Sequence, residues 1–335
     1  MKLPGDEIAV KKEKKIAIVE TIRGLAALAV CLFHFGRANM EFIGHTIWYQ
    51  KITSVGWLGV DAFFVLSGFI IPYSLVKSGY SIKRFFTFFA KRCIRIEPPY
   101  LLSIVLAILL VYVATLVPGF KGEPFQFNAL QTIAHVAYLP EHLGFKWLLP
   151  VYWTLEAEFH YYLLIGLMLP LLWRSVFSLL VGFALGLAAS FFIPLTVFIY
   201  MPFFIMGISV CAYKTGKISQ YILWLVLIVC IIVLLLNKNP FSMPLTGFLT
   251  ALLILFAEIK TRVTDFLGKI SYSLYLLHVP IGSKIINLGG RYADAEWKIW
   301  MVLVVALGVA ILSSWIFYRL VEYPSQLISK KMTYR

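Results

Sequence analysis

The sequence predicts an all-α integral membrane protein, a bundle of about ten transmembrane helices with both termini cytoplasmic. Three observations carry this. Hydrophobic residues make up 61% of the 335 and charged residues 14%, with a mean hydropathy of +0.85. That composition belongs to polytopic membrane proteins and not to soluble domains. Apolar runs of about 17–24 residues, the length a bilayer needs, recur along the whole chain. The cations, finally, are shared unevenly among the segments between those runs.

The runs lie near 16–36, 57–76, 98–117, 150–172, 175–193, 195–213, 218–236, 241–258, 266–288 and 297–320, with only Pro194 between the fifth and the sixth. Ten crossings put both ends on one side. With the N-terminus inside, the inner segments hold 21 Lys and Arg and the outer loops 8; Arg23, within the first run, completes the total of 30. The positive-inside rule then makes both termini cytoplasmic, in what reads as a bacterial-type inner cell membrane. Residues 1–15 and 321–335 become short tails on a single domain, 1–335. The N-terminus shows no signal-peptide cleavage pattern.

The inner segment 77–97 mixes Phe85, Phe86, Phe88 and Phe89 with Lys83, Arg84, Lys91, Arg92 and Arg95, the make-up of an interfacial amphipathic helix. The longest outer loop, 118–149, is expected to hold a short helix near 128–138. A net charge of +14 could suggest nucleic acid in a soluble protein. Here the cations cluster between spans, which suits membrane lipid headgroups and topology. Cys31, Cys93, Cys211 and Cys230 show no disulfide framework and no metal spacing. The histidines and glutamates form neither HxxxH nor HExxH, so no metal site is expected. His45, His135 and His142 fall in outer loops, and nothing marks them.

The chemistry concentrates on residues that a bilayer span carries only for a reason. Arg23 and His34 lie eleven residues apart in the first run. On an α-helix that is about three turns, so both point to one face within about 20°, roughly 16 Å apart along the axis. The predicted orientation puts Arg23 in the inner part of the membrane and His34 in the outer third. Asp61 sits near the outer surface and Ser67 deeper. Glu156, Glu158 and His160 lie in the outer half of the fourth span. In the ninth, Ser271 and Tyr275 precede His278, which lies around mid-membrane. Carboxylates and imidazoles thus gather on the outer side, and Arg23, Arg92 and Arg95 on the inner side. An arginine cluster suits phosphates; an outer His–Glu pair suits removal of a hydroxyl proton. A donor with a phosphorylated head and a long arm, such as an acyl-coenzyme A, fits that polarity.

At these residues the chain resembles the membrane acyltransferase-3 family, over essentially its whole length. The elements are Arg23-x10-His34, GVDAFFVLSGF at 59–69, KRCIRIEPPY at 91–100, WTLEAEF-x-YY at 153–162, SYSLYLLHVP at 271–280 and EYP at 322–324. The resemblance implies transfer of an acyl group, most often acetyl from acetyl-CoA, to a hydroxyl of an exported or surface polysaccharide or glycolipid; some relatives move succinyl or longer groups. It aligns the glutamate of the WTL element with Glu158 and not Glu156. Tyr161 stands where phenylalanine is common.

Each residue also has a plainer reading. His34 is read as the general base, against a helix-packing histidine; Glu158 as its aligning carboxylate, against a partner for Tyr161 or Tyr162. Arg23, Arg92 and Arg95 are read as donor-binding, against snorkelling or topology charges. Glu156 and His160 line the acceptor entrance or pair with each other. Asp61, Ser67, Tyr100, Trp153, Ser271, Tyr275 and His278 are further site-lining candidates, with Tyr275 and Ser271 as oxyanion donors. Ser67 and Gly68 also suit close helix packing. A transporter and a non-catalytic subunit of a polysaccharide assembly system are the rival functions.

Overall fold

The structure is a computed structural model describing residues 4–37, 47–116 and 127–332. His45, the start of the 118–149 loop and the extreme ends of both tails lie outside the described residues. Among the described residues every regular element is helical, as chain in hydrocarbon requires, because a helix pairs its own backbone groups. The helices are α1 (Pro4–Arg37), α2 (Ile47–Thr53), α3 (Gly59–Lys77), α4 (Phe85–Thr115), α5 (Ala129–Val136), α6 (Trp153–Leu172) and α7 (Val176–Phe192). They continue as α8 (Met201–Lys214), α9 (Gln220–Leu236), α10 (Ser242–Phe256), α11 (Arg262–Leu277), α12 (Lys284–Gly289), α13 (Glu296–Phe317) and α14 (Tyr323–Lys331). Five segments are long and apolar enough to cross a membrane: Ile18–Arg37, Lys51–Lys77, Ile82–Thr115, Trp153–Leu172 and Glu296–Lys331. The apolar helices α7 to α10 are shorter.

Three details depart from the sequence reading, each at a proline. The basic segment before residue 98 and the third apolar run are one continuous helix, α4, with Pro98 and Pro99 inside it. Each proline lacks the N–H that would bond four residues back, so only the carbonyls of Ile94 and Arg95 lose their helical donors. Second, Pro194 follows the end of α7, a four-residue helical turn Thr196–Ile199 intervenes, and α8 starts at Met201, with Pro202 in its first turn, where a missing N–H is harmless. Third, the ninth run is broken. α11 gives way at His278 to a π-helical turn, His278–Ser283, which leads into α12. Pro280 has no N–H for Leu276, and the wider turn accommodates its ring.

The chain divides into two compact units. The first comprises 1–30, 55–86 and 160–271. Its centre is the contact of α3 with α8, where two backbones meet. A Cβ at Gly68 would run into the carbonyl oxygen of Phe204, and one at Gly207 into that of Val65. Small residues at such a crossing let helices associate by close packing when no hydrophobic drive separates lipid from protein. Tyr161 stacks on Phe204 beside it, 4.1 Å between ring centroids. Thr21 of α1 donates to the Ile259 carbonyl at 3.0 Å, and a Cβ on Gly24 would come within 2.7 Å of the Gly268 nitrogen.

The second unit comprises 31–54, 87–159 and 272–335. Its core is a run of stacked rings: Tyr100 on Tyr138 at 4.9 Å, and Tyr138 on Phe159 at 4.5 Å. Tyr138 can reach both because it follows α5 in the left-handed region, φ +56°. The Tyr100 hydroxyl donates to the His135 carbonyl, 3.1 Å. At the C-terminal end Lys91 donates to the Met332 carbonyl at 2.7 Å, and Ser329 to the Lys91 carbonyl at 2.8 Å. These bonds tie α4 to α14.

Candidate functional site

The imidazole beside His34 is His278. Their ring centroids lie 5.2 Å apart, with 49° between planes. His34 is half-buried near the end of α1, on the same continuous helix as Arg23. His278 is fully buried and opens the π turn. Its Nδ1 lies 3.0 Å from the Leu274 carbonyl oxygen. A carbonyl only accepts, so Nδ1 carries a proton and, in the neutral ring, Nε2 presents a lone pair. That Nε2 is buried and has no hydrogen-bond partner among the described residues. A Cβ at Gly282 would run into the ring of Phe35, so the π turn sits directly on the residue after His34.

The same turn is braced from α6. The Tyr275 hydroxyl lies 2.7 Å from Thr154 Oγ1 and donates to the Val151 carbonyl at 3.2 Å; its ring is 5.8 Å from His278. The α1 histidine, Tyr275 and His278 and the start of the WTL segment therefore meet within one unit. Trp153 opens α6 and is half-buried. On the other side of α11, buried Glu322 accepts from both the nitrogen and the hydroxyl of Ser273, at 3.2 and 2.6 Å.

The two carboxylates of the WTL segment differ in setting. Glu156 is fully buried, and its Oε1 lies 3.0 Å from Nε2 of His142. Glu158 is half-buried, and two residues on it is turned by about 200° from Glu156. Arg92 and Arg95 stand one turn apart on α4, both half-buried, with the Arg92 guanidinium 5.6 Å from the Phe88 ring. The Tyr100 hydroxyl is held by His135, as above, in the aromatic core.

The first unit holds the remaining candidates. Arg23 pairs with Glu20 at 3.6 Å, one turn earlier. Asp61 is buried in the first turn of α3, where a helix N-terminus favours negative charge; its Oδ2 has no hydrogen-bond partner among the described residues. Ser67 is buried next to Gly68 at the α3–α8 crossing. Ser271 donates to the Gly268 carbonyl at 2.8 Å. The hydroxyls of Ser271 and Tyr275, expected as oxyanion donors, are thus both engaged with backbone carbonyls. Among the described residues no three His, Cys, Asp or Glu side chains are grouped to hold a metal ion.

Sequence reasoning left two histidines unmarked. His142 carries the bond to Glu156. His135 is fully buried; it donates from Nδ1 to the Gln131 carbonyl at 2.8 Å and accepts at Nε2 from the Leu148 N–H at 2.9 Å. Burial holds its pKa below the usual histidine value.

Comparison with known proteins identifies the family. A protein of Acidianus two-tailed virus named "Putative acetyltransferase ORF330" is 29% identical over 296 residues, covering 78% of this chain and 82% of its own. No solved structure matches the chain. A family profile described as "Acyltransferase domain" matches residues 16–319. That span contains every element from Arg23 to His278, and the chain belongs to the acyltransferase-3 family.

Proposed function

We propose that this acyltransferase is a membrane O-acyltransferase that takes an acetyl group from cytoplasmic acetyl-CoA to a hydroxyl of an exported or surface polysaccharide or glycolipid. The reading includes the ten-span bundle in the cell membrane, with both termini cytoplasmic. The observation that carries it is a half-buried imidazole, His34, packed against a fully buried one in a chain of this family. His34 is the general base. It removes the acceptor's hydroxyl proton as the oxygen attacks the thioester carbonyl. The C–S bond then breaks, and the proton passes to the leaving coenzyme A sulfur. General base catalysis by a placed imidazole contributes about 10²–10⁴-fold.

Arg92 and Arg95 are the donor-binding residues in this reading. Two guanidinia one turn apart present several donors to phosphate oxygens. Arg23, eleven residues before His34 on α1, is kept as a donor-binding residue from the sequence reading. Glu158 is kept as the catalytic carboxylate read from the sequence, a partner that aligns His34, with Trp153 nearby on α6.

The test is thiol release from acetyl-CoA by the purified protein, wild type against His34→Ala, with and without an extract of surface glycan. Release by the wild type that vanishes in the variant supports the proposal. Equal release by both removes His34 as the base. No release with any acyl-CoA and extract overturns the acyl-transfer reading and favours transport or assembly.

A further inference from the structure

Burying an imidazole nitrogen without a partner is costly, and natural cores do it rarely. His278 Nε2 is such an atom. The ring is not free to turn away from this fate. Nδ1 is fixed by the Leu274 carbonyl, and the π turn that begins at His278 is pressed onto Phe35 through Gly282. Turns of this kind recur at functional sites. The neighbouring polar ring is His34, at 5.2 Å between centroids. At that spacing a nitrogen of each ring, when both point along the line between the centroids, stands at hydrogen-bonding distance, about 2.7–3.2 Å.

The tautomers then follow. His278 has its proton on Nδ1, so Nε2 only accepts, and the nitrogen of His34 that faces it carries N–H. The other nitrogen of His34 is left with a lone pair. We infer that His278 is a positioning residue: it holds His34 in one tautomer by accepting its N–H, and so leaves the remaining His34 nitrogen as the base. The inference rests on the acyl-transfer reading for its catalytic consequence but not for the pairing itself.

The proton balance is complete. The acceptor O–H bond breaks, its proton goes to the free nitrogen of His34, and the oxygen bonds to the acyl carbon. His34 is now an imidazolium, one N–H of which remains in the lone pair of His278. When the C–S bond breaks, the proton leaves His34 for the thiolate sulfur. His278 neither gains nor loses a proton. Its part is the one an acceptor behind a catalytic imidazole plays in hydrolases, where orientation and tautomer are both fixed from the far side. Here the acceptor is a neutral ring.

The experiment uses the full-length protein in detergent with ¹⁵N-labelled histidine, together with thiol release from acetyl-CoA. Wild type, His278→Phe and His278→Gln are compared. Phenylalanine keeps a ring and removes the acceptor; the glutamine amide oxygen restores an acceptor. The expected result is one protonated and one bare nitrogen on His34 in wild type and His278→Gln, and two averaged nitrogens in His278→Phe. In turnover, His278→Phe loses about 10²-fold or more in kcat with KM for acetyl-CoA little changed, and His278→Gln recovers much of that loss. An averaged His34 in wild type, or equal loss in both variants, overturns the pairing; the wild-type spectrum decides this even if a variant fails to fold. If wild type releases no thiol from any acyl-CoA, the acyl-transfer reading falls, and the tautomer comparison still decides the pair.

Discussion

Nε2 of His142 lies 3.0 Å from Oε1 of Glu156, and the carboxylate is fully buried while the histidine keeps 33% of its side chain exposed. The bond crosses from the segment between α5 and α6 to the first turn of α6. Removing the histidine leaves a buried carboxylate short of a partner, the expensive direction of such a deletion. His142→Ala is expected to destabilise the protein by about 1–3 kcal/mol, read as a lower Tm in detergent. Glu156→Gln keeps an amide that can bond the imidazole and costs less. The double variant should lose less than the sum of the two single losses.

His135 gives a pH dependence with a definite sign. Its neutral ring donates to Gln131 and accepts from Leu148. A proton on Nε2 would set two N–H groups against each other. Burial lowers its pKa in the fold, so the unfolded chain, near 6.5, takes the proton first. The stability from this residue is therefore complete above about pH 6.5 and declines as pH falls through that value. The expected outcome is a Tm that drops between pH 7.5 and 5.5 in wild type by more than in His135→Phe.

These two residues also show where the sequence stops being legible. The long apolar runs are readable because length and hydropathy are local properties, although α4 begins well before its run and the ninth run is broken at His278. Arg23 and His34 are readable as a pair because a helix fixes their relation. His142 and His135 sit in the segment between α4 and α6, and their partners Glu156 and Leu148 are 14 and 13 residues away, a relation that only folding creates. His278 looked as much structural as functional for the same reason: its neighbour is on α1, at the far end of the chain. The start drawn for the third run at residue 98 falls inside α4, and Pro280 sits in a widened turn that no apolar count reveals.

The α3–α8 crossing predicts a contrast between two glycines. A Cβ at Gly207 would meet the Val65 carbonyl and the backbone at Gly68 and Phe69, whereas one at Gly308 on α13 meets nothing within 4 Å. Backbone cannot yield as a side-chain tip can. Gly207→Ala should cost about 1–3 kcal/mol through overpacking. Gly308→Ala should be neutral or stabilising by about 0.5–1 kcal/mol, since alanine loses less entropy in a helix. Thermal melts of the two variants in the same detergent decide it; a similar Tm for both would remove the close crossing.

Glu322 links stability to chemistry. Its Oε2 accepts from the Ser273 nitrogen and hydroxyl, and its Oε1 from Gln326 at 2.9 Å. Ser273 lies five residues before His278 on α11, so the carboxylate of the EYP segment sets the depth and rotation at which the π turn presents its imidazole. Glu322→Ala removes that hold and leaves the Ser273 groups to find other partners. A displacement of about 1 Å at a reacting group costs up to about 10²-fold in rate. Glu322→Ala is accordingly expected to lower kcat for thiol release by about tenfold or more, although Glu322 itself touches no substrate in this reading. Glu322→Gln keeps an oxygen for Ser273 and should retain most of the rate. Equal loss in both variants would show that the charge matters, not the hold on Ser273. An unchanged rate in Glu322→Ala would show that the π turn is placed by Phe35 and Tyr275 alone.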